Sequence, residues 1–217
     1  MTDVRLRQAE LCARDLEATV KRLRSELGLG EPYRDPDIAW FGMENAVFAI
    51  GDTFFEVVSP VRPEEPGART AAKQLDRAAG DVCGYMAMLQ VSDLTAARGR
   101  AADAGVREAF EVDLDDISEV HLHPGDMRGA IVALSEPKPP ESWRWGGEGW
   151  RERAVEGAVT GITLAVADVA ATQARWESIA GGPIAGVTFV QDEAAPGIVA
   201  VELEIGGEAR TVEPSRL

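Results

Sequence analysis

The chain repeats itself. Three segments carry an apolar strand-like stretch, then Asp followed by an aliphatic residue, then a helical stretch that closes on Gly. They are Leu11-Cys12-Ala13-Arg14-Asp15-Leu16 closing at Gly28, Gln90-Val91-Ser92-Asp93-Leu94 closing near Gly105, and Ala165-Val166-Ala167-Asp168-Val169 closing near Gly181. A supersecondary pattern that recurs at near-constant intervals restricts the fold to an assembly of like units. The Asp accepts hydrogen bonds from the free N–H groups of a first helical turn and suits the positive end of the helix dipole. The Gly supplies a left-handed cap, so each helix carries its own start and stop signals. In the first, Leu16, Val20, Leu23 and Leu27 form an apolar stripe that needs a sheet to pack on.

Alternating apolar runs follow the first helix: 38–41, 46–50 and 53–58, with Gly51-Asp52 marking a turn. The second module ends in Gly129-Ala130-Ile131-Val132-Ala133-Leu134. The third ends in Gly197-Ile198-Val199-Ala200-Val201-Glu202-Leu203 and a short strand near Arg210-Thr211-Val212. The pattern predicts an α+β fold of three βαβββ modules. Modules 1–60 and 81–137 form a paired unit over 1–137, residues 138–157 form a Pro/Trp linker, and 158–217 form the third module. Between the first two, the chain is Pro-rich from Pro60 and then helical from Thr70 to Ala79. Trp143, Trp145 and Trp150 in the linker are expected to pin it to the body or to line a cleft, since indoles avoid water.

Alternation along strands sorts side chains to two faces. Leu6, Gln8, Glu10 and Cys12 are placed on one face and Ala9, Leu11 and Ala13 on the other. One face of the predicted sheet is small and aliphatic and belongs under the helices. The other holds Gln8, Glu10, Cys12, Phe54, Glu56, Met86, Met88 and Gln90, a mixture of polar and soft apolar groups that fits a ligand pocket better than a solvated surface. Trp40, His121 and His123 complete the expected ligand-binding set.

Composition narrows the partners. A net charge of −15 repels phosphate backbones, so no nucleic acid is expected. No apolar run approaches membrane-spanning length and the start MTDVRLRQAE lacks a signal-like apolar stretch, so a cytoplasmic protein without membrane contact is expected. The two cysteines, Cys12 and Cys83, read as reduced core or pocket residues.

These modules resemble the vicinal-oxygen-chelate superfamily of glyoxalases, bleomycin-resistance proteins and dioxygenases. The stretch Ile50-Gly51-Asp52-Thr53-Phe54-Phe55-Glu56-Val57-Val58-Ser59-Pro60 is similar to a fourth strand of its methylmalonyl-CoA-epimerase-like branch. The helix from Thr70 to Ala79 leading into Gly84-Tyr85-Met86-Ala87, and His121-Leu122-His123-Pro124-Gly125-Asp126 followed by Gly129-Ala130-Ile131-Val132, resemble the same branch. The resemblance implies that two modules close a cup, and that a metal, where the family uses one, takes one ligand from each of four strands. Those positions fall on Gln8, Glu56, Met86 and Ala133. Only Glu56 is a good ligand for a hard ion, so no metal and no other cofactor is expected. Glu119, His121 and His123 either build a replacement metal site or bond locally; the second is preferred.

Glu10 and Glu56 are the candidate catalytic residues. On neighbouring strands they would lie as near-diagonal partners within about 8 Å, and mutual repulsion with burial would raise one pKa. The alternative is a structural ion pair with Arg7 or Arg128. Two functions follow: a metal-independent isomerase or lyase acting next to a carbonyl, with Glu56 as proton acceptor and amides such as Gln8 or Gln90 stabilising an enolate, or a non-catalytic protein of the bleomycin-resistance type that sequesters an aromatic or amphipathic small molecule. An acidic chain would suit a cationic ligand. The third module offers Gly161 and, depending on alignment, Thr211 or Arg210 at the corresponding positions. It has no fourth module to pair with, so an exposed edge and face predict a homodimer through it; the alternative is that it folds back on the first two modules.

Overall fold

The computed structural model describes residues 4–194 and 196–217. Strand β1 (Val4–Ala13) passes through Asp15 into helix α1 (Leu16–Leu27), where the Asp15 carboxylate accepts from the Ala18 N–H at 2.9 Å. Asp93 starts α3 (Leu94–Asp103) and Asp168 starts α6 (Val169–Ala180) in the same way. The remaining elements are β2 (Met43–Ile50), β3 (Thr53–Pro60), α2 (Pro66–Arg77), β4 (Val82–Val91), β5 (Glu108–Asp113), β6 (Ile117–Leu122), α4 (Pro124–Met127), β7 (Ile131–Pro137), α5 (Trp150–Arg153), β8 (Gly157–Val166), β9 (Val187–Gln191), β10 (Gly197–Ile205) and β11 (Glu208–Val212).

A seven-stranded mixed sheet runs β2-β3-β1-β4-β7-β6-β5. The first strands of the two units, β1 and β4, lie antiparallel at its centre, and each pairs in parallel with the last strand of its own unit, β3 or β7. The two units thus join into one curved α+β cup. The first unit has one strand fewer than its sequence predicts. Residues 38–41 belong to a 3-10 turn, Pro36–Phe41. The Asp35 carboxylate accepts from the Asp37 N–H and starts the turn, Pro36 has no N–H to give to a ladder, and Gly42 stops it in the left-handed region at φ +73°.

Alternation on β1 is interrupted once. Leu6 opposes Leu89 and Gln8 opposes Met88, which leaves Arg7 as the extra residue of a β-bulge. Leu6 therefore joins the core under the helices, not the face that carries Gln8. Arg7 is fully buried, with its guanidinium over the rings of Phe54 and Trp143 at 5.8 and 5.4 Å.

The third unit forms a four-stranded sheet of order β11-β10-β8-β9. Because β10 lies beside β8, the partner of Gly161 is Glu202, and Thr211 and Arg210 lie one strand farther out. The corresponding site positions drawn from the repeat do not meet here. The apolar face of this sheet packs on the convex side of the large one: Ile162, Leu164, Ile198 and Val201 share a core with Leu11, Ala87, Leu89 and Val132. The approach is close enough that a Cβ on Gly84 would sit 2.3 Å from the Ile198 carbonyl oxygen. The Val159 N–H donates to Thr53 Oγ1 at 2.6 Å, Trp176 Nε1 to the Met127 carbonyl at 2.9 Å and Arg100 Nε to the Ile179 carbonyl at 2.7 Å. The chain takes the folded-back arrangement and covers the third unit's face itself, which removes the uncovered face on which pairing between two third modules was expected. Among the described residues no helix is long and apolar enough to cross a membrane.

Candidate functional site

The concave face of the large sheet is closed at both ends of its central strands. At one end α2 lays Ala68, Ala71 and Leu75 against Cys12, Val58 and Tyr85. At the other end the linker folds over Phe54, with Trp143 stacked on its ring at 6.0 Å and Trp150 edge-on at 5.1 Å. Between them lies a cavity of about 770 Å³.

On one wall, register places Glu10 directly opposite Glu56, and the pair is closer than the diagonal neighbours the sequence implies. Gln8 bridges them: its Nε2 donates to Glu56 Oε2 at 2.5 Å and to Glu10 Oε1 at 3.2 Å. The orientation of this amide is settled by Trp143. Its Nε1–H, which can only donate, reaches Gln8 Oε1 at 2.7 Å and leaves the NH₂ facing the carboxyls. Asn45 Nδ2 donates to the other Glu56 oxygen at 2.7 Å. Burial, then the neighbouring Glu56, pushes the Glu10 carboxyl well above the ordinary carboxylate range. Burial pushes Glu56 up to about 7, with hydrogen bonds from Asn45, Glu10 and Gln8 opposing it. Burial and the closeness of the two carboxyls thus favour protonated forms of the pair well above the ordinary carboxylate range. No ion pair with Arg7 forms: that guanidinium reaches Gln90 Oε1 at 2.8 Å and Asp52 at 3.5 Å.

The other wall centres on Glu119, which is nearly fully buried. Its Oε2 accepts from Ser135 Oγ at 2.6 Å and Trp145 Nε1 at 2.7 Å, and its Oε1 lies 2.7 Å from His121 Nε2. The His121 ring packs on Phe110 with centroids 5.1 Å apart. Carboxylate and imidazole are two residues apart on β6 and so face the same way.

Of the candidates, Gln8, Glu10, Trp40, Glu56, Met86, Met88 and His121 line the cavity. Four others do not. Phe54 lies beneath Trp143 and Trp150. Cys12 is buried in the cluster under α2, opposite Cys83 on β4. Gln90 turns to the rim, where it bonds Arg5, Arg7 and the Pro140 carbonyl, because the bulge at Arg7 shifts its neighbours. His123 accepts from the Gly125 N–H at the start of α4 and lies 3.2 Å from an Arg107 nitrogen, so it caps a turn. The structure adds Asp35, Asn45, Tyr85 and Phe110 to the lining, and of the three linker tryptophans expected to pin the linker or line a cleft, Trp145 lines the cavity. Asn45 and Phe110 lie on β2 and β5 and were open to a strand reading, whereas Asp35 sits on irregular backbone with no period to follow.

A family model described as a glyoxalase-like domain matches residues 9–180. The chain belongs to this glyoxalase-like family. Its architecture is shared with solved structures of low sequence identity. Methylmalonyl-CoA epimerase from Mycobacterium tuberculosis is 21% identical, with a TM-score of 0.50 over 61% of this chain and 87% of that one. A methylmalonyl-CoA epimerase in complex with methylmalonyl-CoA and NH4+ is 20% identical, with a TM-score of 0.52 over 64% and 99%. A hypothetical protein, BH1468 from Bacillus halodurans C-125, is 18% identical, with a TM-score of 0.51 over 61% and 94%. Among curated proteins none matches the sequence.

Within this glyoxalase-like cup, the four-strand metal position does not fit a divalent ion. Met86 and Ala133 hold two of the positions, and Gln8 turns its NH₂, not its carbonyl, toward Glu56. Among the described residues no group of three or more His, Cys, Asp or Glu side chains is arranged to hold a metal ion. The donors that remain can bind, orient and exchange protons.

Proposed function

We propose that the cup binds a small organic molecule and transfers a proton on it without a metal ion, with Glu56 as the base and Glu10 as a proton-bearing hydrogen-bond donor. The observation that carries this reading is the Glu10–Glu56 pair, bridged by Gln8, on the wall of a cavity of about 770 Å³, a volume within the range of small-molecule sites. Two carboxyls whose proton affinities are driven apart divide the roles of acid and base between them. Glu56, pushed up to about 7, is a base matched to neutral pH. Glu10 retains its proton and can offer it to an oxygen that gains negative charge, which is the stabilisation a metal would otherwise supply. The reaction class this favours is isomerisation or elimination at an acidic C–H beside a carbonyl, in a cytoplasmic protein.

A second reading, sequestration without turnover, draws on one observation: both Glu56 oxygens are already held by amides, from Asn45 and Gln8. Proton exchange separates the two. A panel of simple ketones, 2-oxo acids and β-keto esters is incubated in deuterated buffer with the protein and followed by NMR. Proton transfer predicts deuterium incorporation at the acidic carbon of a bound panel member, lost in Glu56→Gln. Binding with no incorporation in the unaltered protein would establish sequestration.

A further inference from the structure

We propose that the ligand of the cup is an organic cation, an amine or quaternary ammonium group carried on an aromatic or alkyl body. The proposal rests on the reading that the cup binds a small molecule, and it names the class. Glu10, Asp35, Glu56 and Glu119 all line the cavity. Among the described residues no lysine or arginine forms an ion pair with any of them. The groups that hold them are amides on Glu10 and Glu56, and an indole, a hydroxyl and an imidazole on Glu119. The guanidinium that lines the cavity, Arg144, is engaged with Asp116 at 3.0 and 3.2 Å. Arg7 lies behind Phe54 and Trp143. Buried acids without a lysine or arginine partner cost free energy that a ligand cation would recover.

The apolar lining points the same way. Trp40, Phe41, Phe110 and Trp145 present rings to the cavity, and Trp40 stands 83% exposed at its mouth. Aromatic faces attract ammonium groups, and more strongly once these are desolvated. A polyanionic ester such as the acyl-CoA named for one fold neighbour would meet the carboxyls of this cavity with repulsion.

The charge of the ligand has a second signature. The titratable and charged groups that line the cavity with Glu56 are Glu10 from β1, Tyr85 from β4, Glu119 and His121 from β6, Asp35 and Asp37 at the 3-10 turn and Arg144 from the linker. A cation placed among these groups favours ionised Glu56 and displaces its proton. Binding a cation near pH 6.5, just below a value of about 7, should therefore release protons, and binding a neutral body should not.

The test uses one ring with three charges: benzyltrimethylammonium, benzyl alcohol and phenylacetate. Each is titrated into the full chain near pH 6.5, followed by tryptophan fluorescence and by calorimetry in two buffers of different ionisation enthalpy. The expected result is that the cation binds about tenfold more tightly than either partner, weakens with salt, releases protons and loses affinity in Trp40→Ala and Glu119→Gln. Phenylacetate binding as tightly as the cation, with the same loss in Trp40→Ala, would overturn the class and leave the cup as a binding site. Failure of all three to bind at millimolar concentration would overturn both.

Discussion

The two faces of the seven-stranded sheet are made by the same strands and do opposite work. On β1, Ala9, Leu11 and Ala13 turn to the convex side, where they pack under helices and under the third unit. Gln8 and Glu10, which alternate with Ala9 and Leu11 in sequence, turn to the concave side and line a cavity. The convex core is apolar and its polar contacts are few and directional, such as Trp176 to the Met127 carbonyl. The concave side keeps carboxyls out of water and surrounds them with amide, indole and hydroxyl donors. Burial of apolar area stabilises the first face, at roughly 25 cal/mol per Å². The second holds groups whose raised pKa values record a cost, and such a cost is characteristic of sites that act on ligands.

Substitutions can break this contrast from either side. The largest effect is expected on the convex face. Trp176→Ala empties a fully buried indole site and leaves the Met127 carbonyl without its donor, and should cost about 3–5 kcal/mol in chemical denaturation. Cation binding by the fraction still folded should be unchanged, and a selective loss of binding would mean that the faces are coupled.

An intermediate effect belongs to pH. Folded Glu56 keeps its proton up to about 7, while the unfolded chain releases it near 4.5. Between these values the folded state binds more protons, so stability falls as pH rises, by on the order of 3 kcal/mol from this residue. Denaturation midpoints across that window should fall for the unaltered protein and fall less steeply in Glu56→Gln, where Glu10 still contributes. An unchanged slope in the variant would show that Glu56 titrates normally.

The smallest effect on stability is expected at the mouth. Trp40 is exposed, and Trp40→Ala should change stability by less than about 0.5 kcal/mol while weakening cation binding severalfold. A large stability loss there would place Trp40 in the packing of the cup.

Much of this division was legible in the sequence. The Asp starts at 15, 93 and 168 each cap a helix, and period-2 alternation sent Gln8, Glu10 and Glu56 to one face because a strand has no other way to arrange consecutive side chains. What was not legible depends on single insertions and on tertiary choice. The bulge at Arg7 reverses the phase of Leu6 and leaves no compositional trace. Asp35-Pro36 turned an apolar run into a 3-10 turn, since a side-chain cap and a missing N–H outweigh the strand preference of Ile38 and Phe41. The third unit reads as another repeat, yet β10 sits beside β8, and its Ile198 packs closely on Gly84 of the large sheet, a tertiary contact the repeat does not announce.

The tie from Trp143 to Gln8 spans 135 residues of chain. That hydrogen bond orients the amide between the two carboxyls, so the site is unfinished until the linker has been made and has closed over the cup. Contacts of such long range form late, because loop-closure entropy must be overcome before they contribute. Before the linker closes, Trp143 neither orients Gln8 nor shields the carboxyl pair, and the burial that raises their proton affinities is incomplete. The raised proton affinity of the pair is thus a marker of linker closure over the cup, not of the sheet alone.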